Sequence, residues 1–255
     1  MLEKLEGVVL FKKPHREKDF LVKILTNMHG PLMFFVRGSY RKDALDKEIY
    51  PLVRLTFEAD VRREGLSFIR AINHCDPLPH LHTDIKKNAY GIYFCMLTDA
   101  ALADREANST VYSELIQALT YLNEDVDAEI ISCMYELKRL KEFGVMPNWL
   151  GCALCHKTEG IFDYSSKYHG IICSQHFVYD KRRFHANPKA IYLLRQLNYL
   201  KFDQLGKINV TMETKKEMKH ILNKIYDETV GIKLKSKHFI QEMEKYETFF
   251  EDEND

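Results

Sequence analysis

Residues 16–40 read REKDFLVKILTNMHGPLMFFVRGSY, and their pattern decides what the first third of the chain becomes. Phe20, Val22 and Ile24 share one face of an extended segment; after a break, Leu32, Phe34 and Val36 repeat the period of two. That period puts every second side chain on the same side of a strand. Between the two runs, NMHGP supplies turn chemistry through Asn27, Gly30 and Pro31. Further on, PLVRLTFEADVRREGLSFIRAIN sets Val53, Leu55 and Phe57 against Arg54, Thr56 and Glu58, with Gly65 as the next turn. About five strands in some 75 residues predict a small closed barrel, because closure removes the exposed edges of such a sheet. The segment RKDALDKEI reads as a short helix or loop interrupting the meander.

At DPLPHLHTD two prolines break the pattern, which places a domain boundary there. Beyond it the period becomes helical. YGIYFCMLTDAALA and VYSELIQALTYL read as helices, and Ile130, Cys133, Met134, Leu137 and Leu140 fall three and four apart on one helical face. Asn187-Pro188 reads as an N-cap followed by proline at the first helical position, and Met218, Ile221, Leu222 and Ile225 mark a later face. The expectation is an α+β protein, a barrel over 1–78 and a helical domain over 79–245 with an insertion at about 147–185. Residues 246–255 read as an acidic, disordered tail.

With 45% hydrophobic and 29% charged residues, the 255-residue chain has material for a core and a charged surface. No apolar run is long enough to span a bilayer, and MLEKLEGVVLFKKP lacks the apolar stretch of a signal peptide, so no membrane partner and a cytoplasmic location are expected. Of six cysteines, Cys75, Cys95 and Cys133 lie singly in apolar stretches and read as small buried hydrophobes in a reducing compartment. The zero net charge averages opposed blocks: +3 over residues 1–80, −7 over 81–136, +10 over 137–237 and −6 over 238–255.

The other three cysteines stand in GCALCHKTEGIFDYSSKYHGIICSQH, residues 151–176. Cys152 and Cys155 form one tight turn, and Cys173 and His176 form another, together offering a Cys3His set that suits Zn2+. His156, His169 and His185 compete for the fourth place. Four protein ligands close the coordination shell, and no His-x-Glu or His-Glu-x-x-His partner accompanies the cysteines, so the metal is expected to be structural. Nucleophile-elbow, Walker and dinucleotide-binding patterns are also missing, and no catalytic residue is expected. His74, His80 and His82 read as exposed residues of a proline-punctuated linker.

Cations near the strand connections point elsewhere. Lys12, Lys13 and Arg16 lie near the first connection; Arg37, Tyr40, Arg41 and Lys42 stand where the third strand ends, with Gly38 permitting close backbone approach. Arg62 and Arg63 mark another turn, and Arg182 and Arg183 a basic run in the second half. Cations at strand ends can follow phosphates while a tyrosine stacks on a base, although each run taken singly reads equally well as a solvated turn.

In order and spacing these pieces resemble the RecO family of bacterial recombination mediators. The resemblance rests on the strand–turn–strand ending in RGSYRK, the metal knuckles just after LKRLKEFGVMPNW, and LKSKHFI near the end. It departs at His176, where many relatives with the site carry a fourth cysteine; other relatives lack the site altogether. The resemblance implies an oligonucleotide/oligosaccharide-binding (OB) barrel followed by a helical domain with a zinc-binding insertion. It implies binding of single- and double-stranded DNA, strand annealing, and loading of recombinase onto strands coated by single-stranded-DNA-binding protein, in association with the nucleoid. The implied partners are RecR and the C-terminal tail of that coating protein; Arg37, Arg41 and Lys42 become the foremost DNA contacts. The rival expectation is a zinc-stabilised protein–protein adaptor without annealing activity.

Overall fold

A computed structural model describes residues 2–39, 44–206 and 208–252, apart from the side chains of 247–252. Tyr40, Arg41 and Lys42 therefore lie outside the described residues. The chain forms two compact units, one of residues 1–126 with 234–255 and one of residues 127–233.

In the first unit the alternating segments become β1 (Leu2–His15), β2 (Asp19–Thr26), β3 (Gly30–Val36), β4 (Arg54–Asp60) and β5 (Ser67–Asp76), closed into a barrel of order β1-β2-β3-β5-β4. The long β1 serves two neighbours. It pairs with β4 from Leu2↔Asp60 to Val8↔Arg54 and with β2 from Gly7↔Thr26 to His15↔Asp19, with a bulge between Val9 and Phe11. Such a bulge bends the strand, which a small barrel needs. Parallel pairing of β3 with β5, at Phe34↔Ser67 and Phe35↔Phe68, closes the ring. This is the five-stranded OB arrangement.

Inside, Leu5, Val9, Val22, Ile24, Leu32, Phe34, Val36, Val53, Leu55 and Phe57 form a buried core, in which Phe34 meets Phe57 edge to face at 5.5 Å. The interrupting segment contains a single helical turn, α1 (Leu45–Glu48). The Lys12 ammonium donates to the Asp46 and Ile49 carbonyls there, a cation at a helix C-terminus.

The proline-punctuated stretch is a short helix, α2 (Pro79–Thr83), rather than a linker. Proline at the first helical position starts it without losing a backbone donor that the helix would use. His80 stays exposed but is tied to Asn123 through its backbone N–H (3.1 Å) and its ring (2.8 Å), and His82 packs edge-on against Tyr50. Two longer helices follow, α3 (Ile85–Ala101), capped by Asp84, and α4 (Ser109–Asn123), capped by Asn108.

The second unit begins with α5 (Ala128–Arg139), whose predicted face, Ile130, Cys133, Met134, Leu137 and Leu140, is buried. A hairpin of β6 (Phe162–Ser165) and β7 (Gly170–Cys173) leads into a 3-10 turn over Ser174–Tyr179. Asn187 caps α6 (Pro188–Tyr199) through the Lys189 N–H at 2.9 Å. In α7 (Met212–Ile225) the predicted Met218, Ile221, Leu222 and Ile225 are buried. The chain then rejoins the first unit as α8 (Lys235–Asp252), held to α3 by a hydrogen bond from the Tyr90 hydroxyl to Glu244 (2.8 Å). The acidic end expected to be disordered is helical through Asp252; Tyr246–Asp252 contains no proline or glycine to stop the helix.

Candidate functional site

The barrel core takes the inward residues of β3 and β5, so Phe35, Phe68 and Arg70 face outward. Parallel pairing sets Phe35 beside Phe68, with ring centroids 5.9 Å apart, and His15 stands edge-on to Phe35 at 6.1 Å. The Arg62 guanidinium lies 4.6 Å above the Phe68 ring and Arg70 lies 5.8 Å from it. Phe35, Arg37, Arg62, Phe68, Ile69 and Arg70 line an open groove of about 380 Å³. Aromatic rings beside guanidinium groups form a surface on which a flat, electron-rich group can stack while an attached anion is neutralised.

Of the predicted cations, Arg37 and Arg62 line this groove, and Arg63 is exposed next to it on the loop 61–66. Lys13 is exposed over the Phe11 ring, and Arg16 is exposed in the β1–β2 turn with φ 59°. Lys12 is committed to the α1 carbonyls and to the Phe20 ring, 4.1 Å away; burial holds its pKa below the usual lysine value. Gly38 does permit a close approach, but to the chain itself. A Cβ there would lie 1.7 Å from the Lys18 carbonyl oxygen, so glycine lets the end of β3 pack on the β1–β2 turn.

Sequence reading missed Phe35, Phe68 and Arg70. The signal was present in the alternation that sends Leu32, Phe34 and Val36 inward and leaves Phe35 a large aromatic on the outer face. Its adjacency to Phe68 depends on the β3–β5 pairing.

In the second unit, the residues of the two knuckles converge. The Cys152, Cys155, Cys173 and His176 ligand atoms lie within 4.8 Å of one another, and the group could hold a metal ion. His156 N–H donates to the Cys152 carbonyl and Cys152 N–H to the Lys157 carbonyl, both at 2.8 Å, folding the first knuckle. The hairpin brings Cys173 to the end of β7, and the 3-10 turn swings His176 back over it. Nδ1 of His176 is 3.3 Å from the Cys152 Sγ and 3.2 Å from the Cys173 Sγ, and the Cys155 and Cys173 sulfurs are 3.8 Å apart. A tetrahedral zinc with Zn–S bonds of about 2.3 Å requires sulfurs roughly 3.8 Å apart, so the donor set fits such an ion in size and type. Among the described residues, His156, His169 and His185 take no place in this group.

Burial works against ionisation of Cys152, but the N–H groups of Cys173, Leu154 and Cys155 and the His176 ring outweigh it and bring its thiol down to about 6. Cys173 is pushed up by burial and by the Cys152 and Cys155 sulfurs beside it. A divalent cation at the centre removes that conflict, because it favours the thiolate form of all three. Next to the cage, buried Asp163 accepts from the His185 and Ala186 N–H groups and pairs with Arg183 at 3.0 Å. Arg183 also lies 4.2 Å over the Phe177 ring, so it fastens the basic loop, while Arg182 remains exposed.

A closed OB barrel with a cationic aromatic groove, in a chain that also folds a helical domain with a Cys3His group able to hold a metal ion, defines a class of OB-barrel proteins with a candidate metal cage. Comparison with known proteins narrows the class. The family model described as Recombination protein O N terminal matches residues 1–78, and that described as Recombination protein O C terminal matches residues 82–238. The chain is 41% identical to the DNA repair protein RecO of Enterococcus faecalis over 96% of this chain and 94% of the relative. It is 38% identical to that of Streptococcus thermophilus (96% of each chain) and 36% identical to that of Latilactobacillus sakei (96% and 91%). The chain belongs to the recombination protein O (RecO) family, which acts in DNA repair and recombination. Among the described residues, no helix is long and apolar enough to cross a membrane.

Proposed function

We propose that the barrel groove binds single-stranded DNA and that the protein uses it to anneal complementary strands during recombinational repair. The observation that carries this reading is the pairing of Phe35 and Phe68 with Arg37, Arg62 and Arg70 in one open groove. Unpaired bases have faces free to stack on the rings, while the guanidinium groups follow the phosphates. Duplex DNA offers only its phosphates to such a surface and is held by charge alone. Annealing requires no bond to be made or broken; it requires two strands to be neutralised and brought together. Within the barrel's unit, the exposed Arg16 and Arg63 add further cations, and Arg182 is exposed in the second unit.

Family membership supports the remaining parts of the proposal: loading of recombinase onto strands coated by single-stranded-DNA-binding protein, with RecR and the tail of the coating protein as partners. Zn2+ is the metal we assign to Cys152, Cys155, Cys173 and His176. It would supply a structural crosslink there, holding the first knuckle against the end of β7.

A fluorescence annealing assay with complementary oligonucleotides, with and without single-stranded-DNA-binding protein, tests the proposal. Replacing both Phe35 and Phe68 by alanine should weaken single-strand binding by about 30-fold or more, at about 1–3 kcal/mol for each of the two rings, and slow annealing in step. Duplex affinity should change little. A folded parent protein that neither binds nor anneals DNA would favour the zinc-stabilised adaptor.

A further inference from the structure

The loop that carries Arg62 and Arg63 is held in place by a residue outside the barrel. Arg105 lies in the connection between α3 and α4, 40 residues beyond Gly65 in sequence. Its guanidinium spans the loop: Nη1 donates to the Arg62 carbonyl at 2.7 Å, and Nη2 donates to the Gly65 carbonyl at 2.5 Å. Gly65 has φ +72° and nothing within 4 Å of an added Cβ, so backbone geometry, not packing, makes glycine the fitting residue there. Arg63, Glu64 and Gly65 are exposed; the loop is also tied by the Arg62 N–H to the Ser67 hydroxyl at 3.2 Å and by Val61, which packs against the barrel core at its start.

Arg105 is itself anchored. Its backbone has φ 67°, unusual for a residue other than glycine, and its N–H donates to the Pro31 carbonyl at 2.9 Å. On its N-terminal side, Asp104 pairs with Lys23 of β2 at 2.7 Å. On its C-terminal side, the Glu106 carbonyl lies so near Gly30 that a Cβ there would come within 2.0 Å. The connection is therefore tied to the barrel on both sides of Arg105, and the left-handed backbone aims its side chain along the loop.

The geometry points to Arg105 as a positioning residue for the DNA groove, acting through the loop to hold Arg62 over Phe68. This inference rests on the groove reading given above. Arg105 commits its fork to two carbonyls while keeping its charge, so the salt dependence of its variants separates positioning from direct contact with DNA. A flexible loop must be ordered on binding, and a loop held beforehand avoids that cost. Lysine cannot replace the fork, because an ammonium group lacks the planar pair of donors that spans two carbonyls.

The test uses the full-length protein with a fluorescent oligothymidylate, measuring affinity across a range of salt concentrations and hydrogen exchange of residues 61–66. Arg105→Ala and Arg105→Lys should both weaken binding about three- to tenfold, with an unchanged salt slope and faster exchange in the loop. In an Arg62→Ala/Arg63→Ala background, Arg105→Ala should have little further effect, because coupled residues are not additive. If Arg62→Ala/Arg63→Ala binds like the parent, the groove reading itself fails. If that double variant is weak but both Arg105 variants bind like the parent, the positioning role alone is overturned. A shallower salt slope in Arg105→Ala, with Arg105→Lys retaining affinity, would make Arg105 a direct phosphate contact and overturn it as well.

Discussion

Cys173 has three neighbours in the cage: its sulfur lies 3.8 Å from Cys155 and 3.2 Å from His176, and its N–H donates to the Cys152 sulfur at 3.3 Å. Replacing it with serine removes a soft ligand and leaves the rest of the cage short of a closed shell. Cys173→Ser should lose its metal and cost about 3 kcal/mol or more, roughly 6–12 °C in melting temperature for a chain of this size. A chromophoric zinc assay and a thermal melt check both. Cys152 gives the pH dependence. Its folded pKa, about 6, lies below the ordinary thiol value. In the metal-free cage the stability that it contributes is therefore present above the ordinary thiol value and is lost as pH falls through about 6; a bound cation would hold the thiolate ionised to still lower pH before protons displace it. Metal retained down to on the order of pH 3 would count against thiolate ligation.

Between elements, the most consequential polar contact is the one joining α5 to α7. Glu129, 7% exposed, accepts from Lys219 at 2.7 Å and pairs with Lys215 at 3.2 Å; Lys215 also reaches Asp127. Burial opposes the charge on Glu129, but Lys219 and Lys215 outweigh it and hold the carboxyl below its usual range. Burial likewise opposes the charge on Lys215, and Asp127 and Glu129 raise its pKa despite this. The carboxylate contribution is present above about pH 4.3 and fades as pH falls through the depressed value; the ammonium contribution is present below about pH 10.4 and fades as pH rises through the raised one. Glu129→Gln should cost about 1–3 kcal/mol at neutral pH. Urea unfolding should show the gap from the parent narrowing near about pH 3, where the parent's own carboxylate is protonated.

For the molecule as a whole, charge is segregated along the chain rather than balanced locally, with +10 over residues 137–237 and −6 over 238–255. Net neutrality therefore does not argue against a polyanionic ligand. With the groove's Arg37, Arg62 and Arg70 meeting phosphates, log affinity for a short single strand should fall against log salt with a slope of about −2. Fluorescence anisotropy at several salt concentrations measures it, and a flat response would rule out the electrostatic part of the proposal.

What the sequence determined by itself was local. The period of two in residues 20–36 and 53–57 encodes strands, since one face must leave water, and the three-four spacing in 130–140 and 218–225 encodes helices for the same reason. The Cys-x2-Cys and Cys-x2-His spacings identified the cage residues, because a tight turn brings such ligands together unaided. Only the tertiary structure decided what depends on contacts distant in sequence. Parallel pairing of β3 with β5 placed Phe35 against Phe68 and turned separate basic runs into one groove. The return of α8 to α3 joined residues 234–255 to the barrel's unit, which no local pattern signals. The Arg105 fork across the loop 61–66 is of the same kind: a lone arginine in a connection carries no signature until the carbonyls it spans are placed beside it.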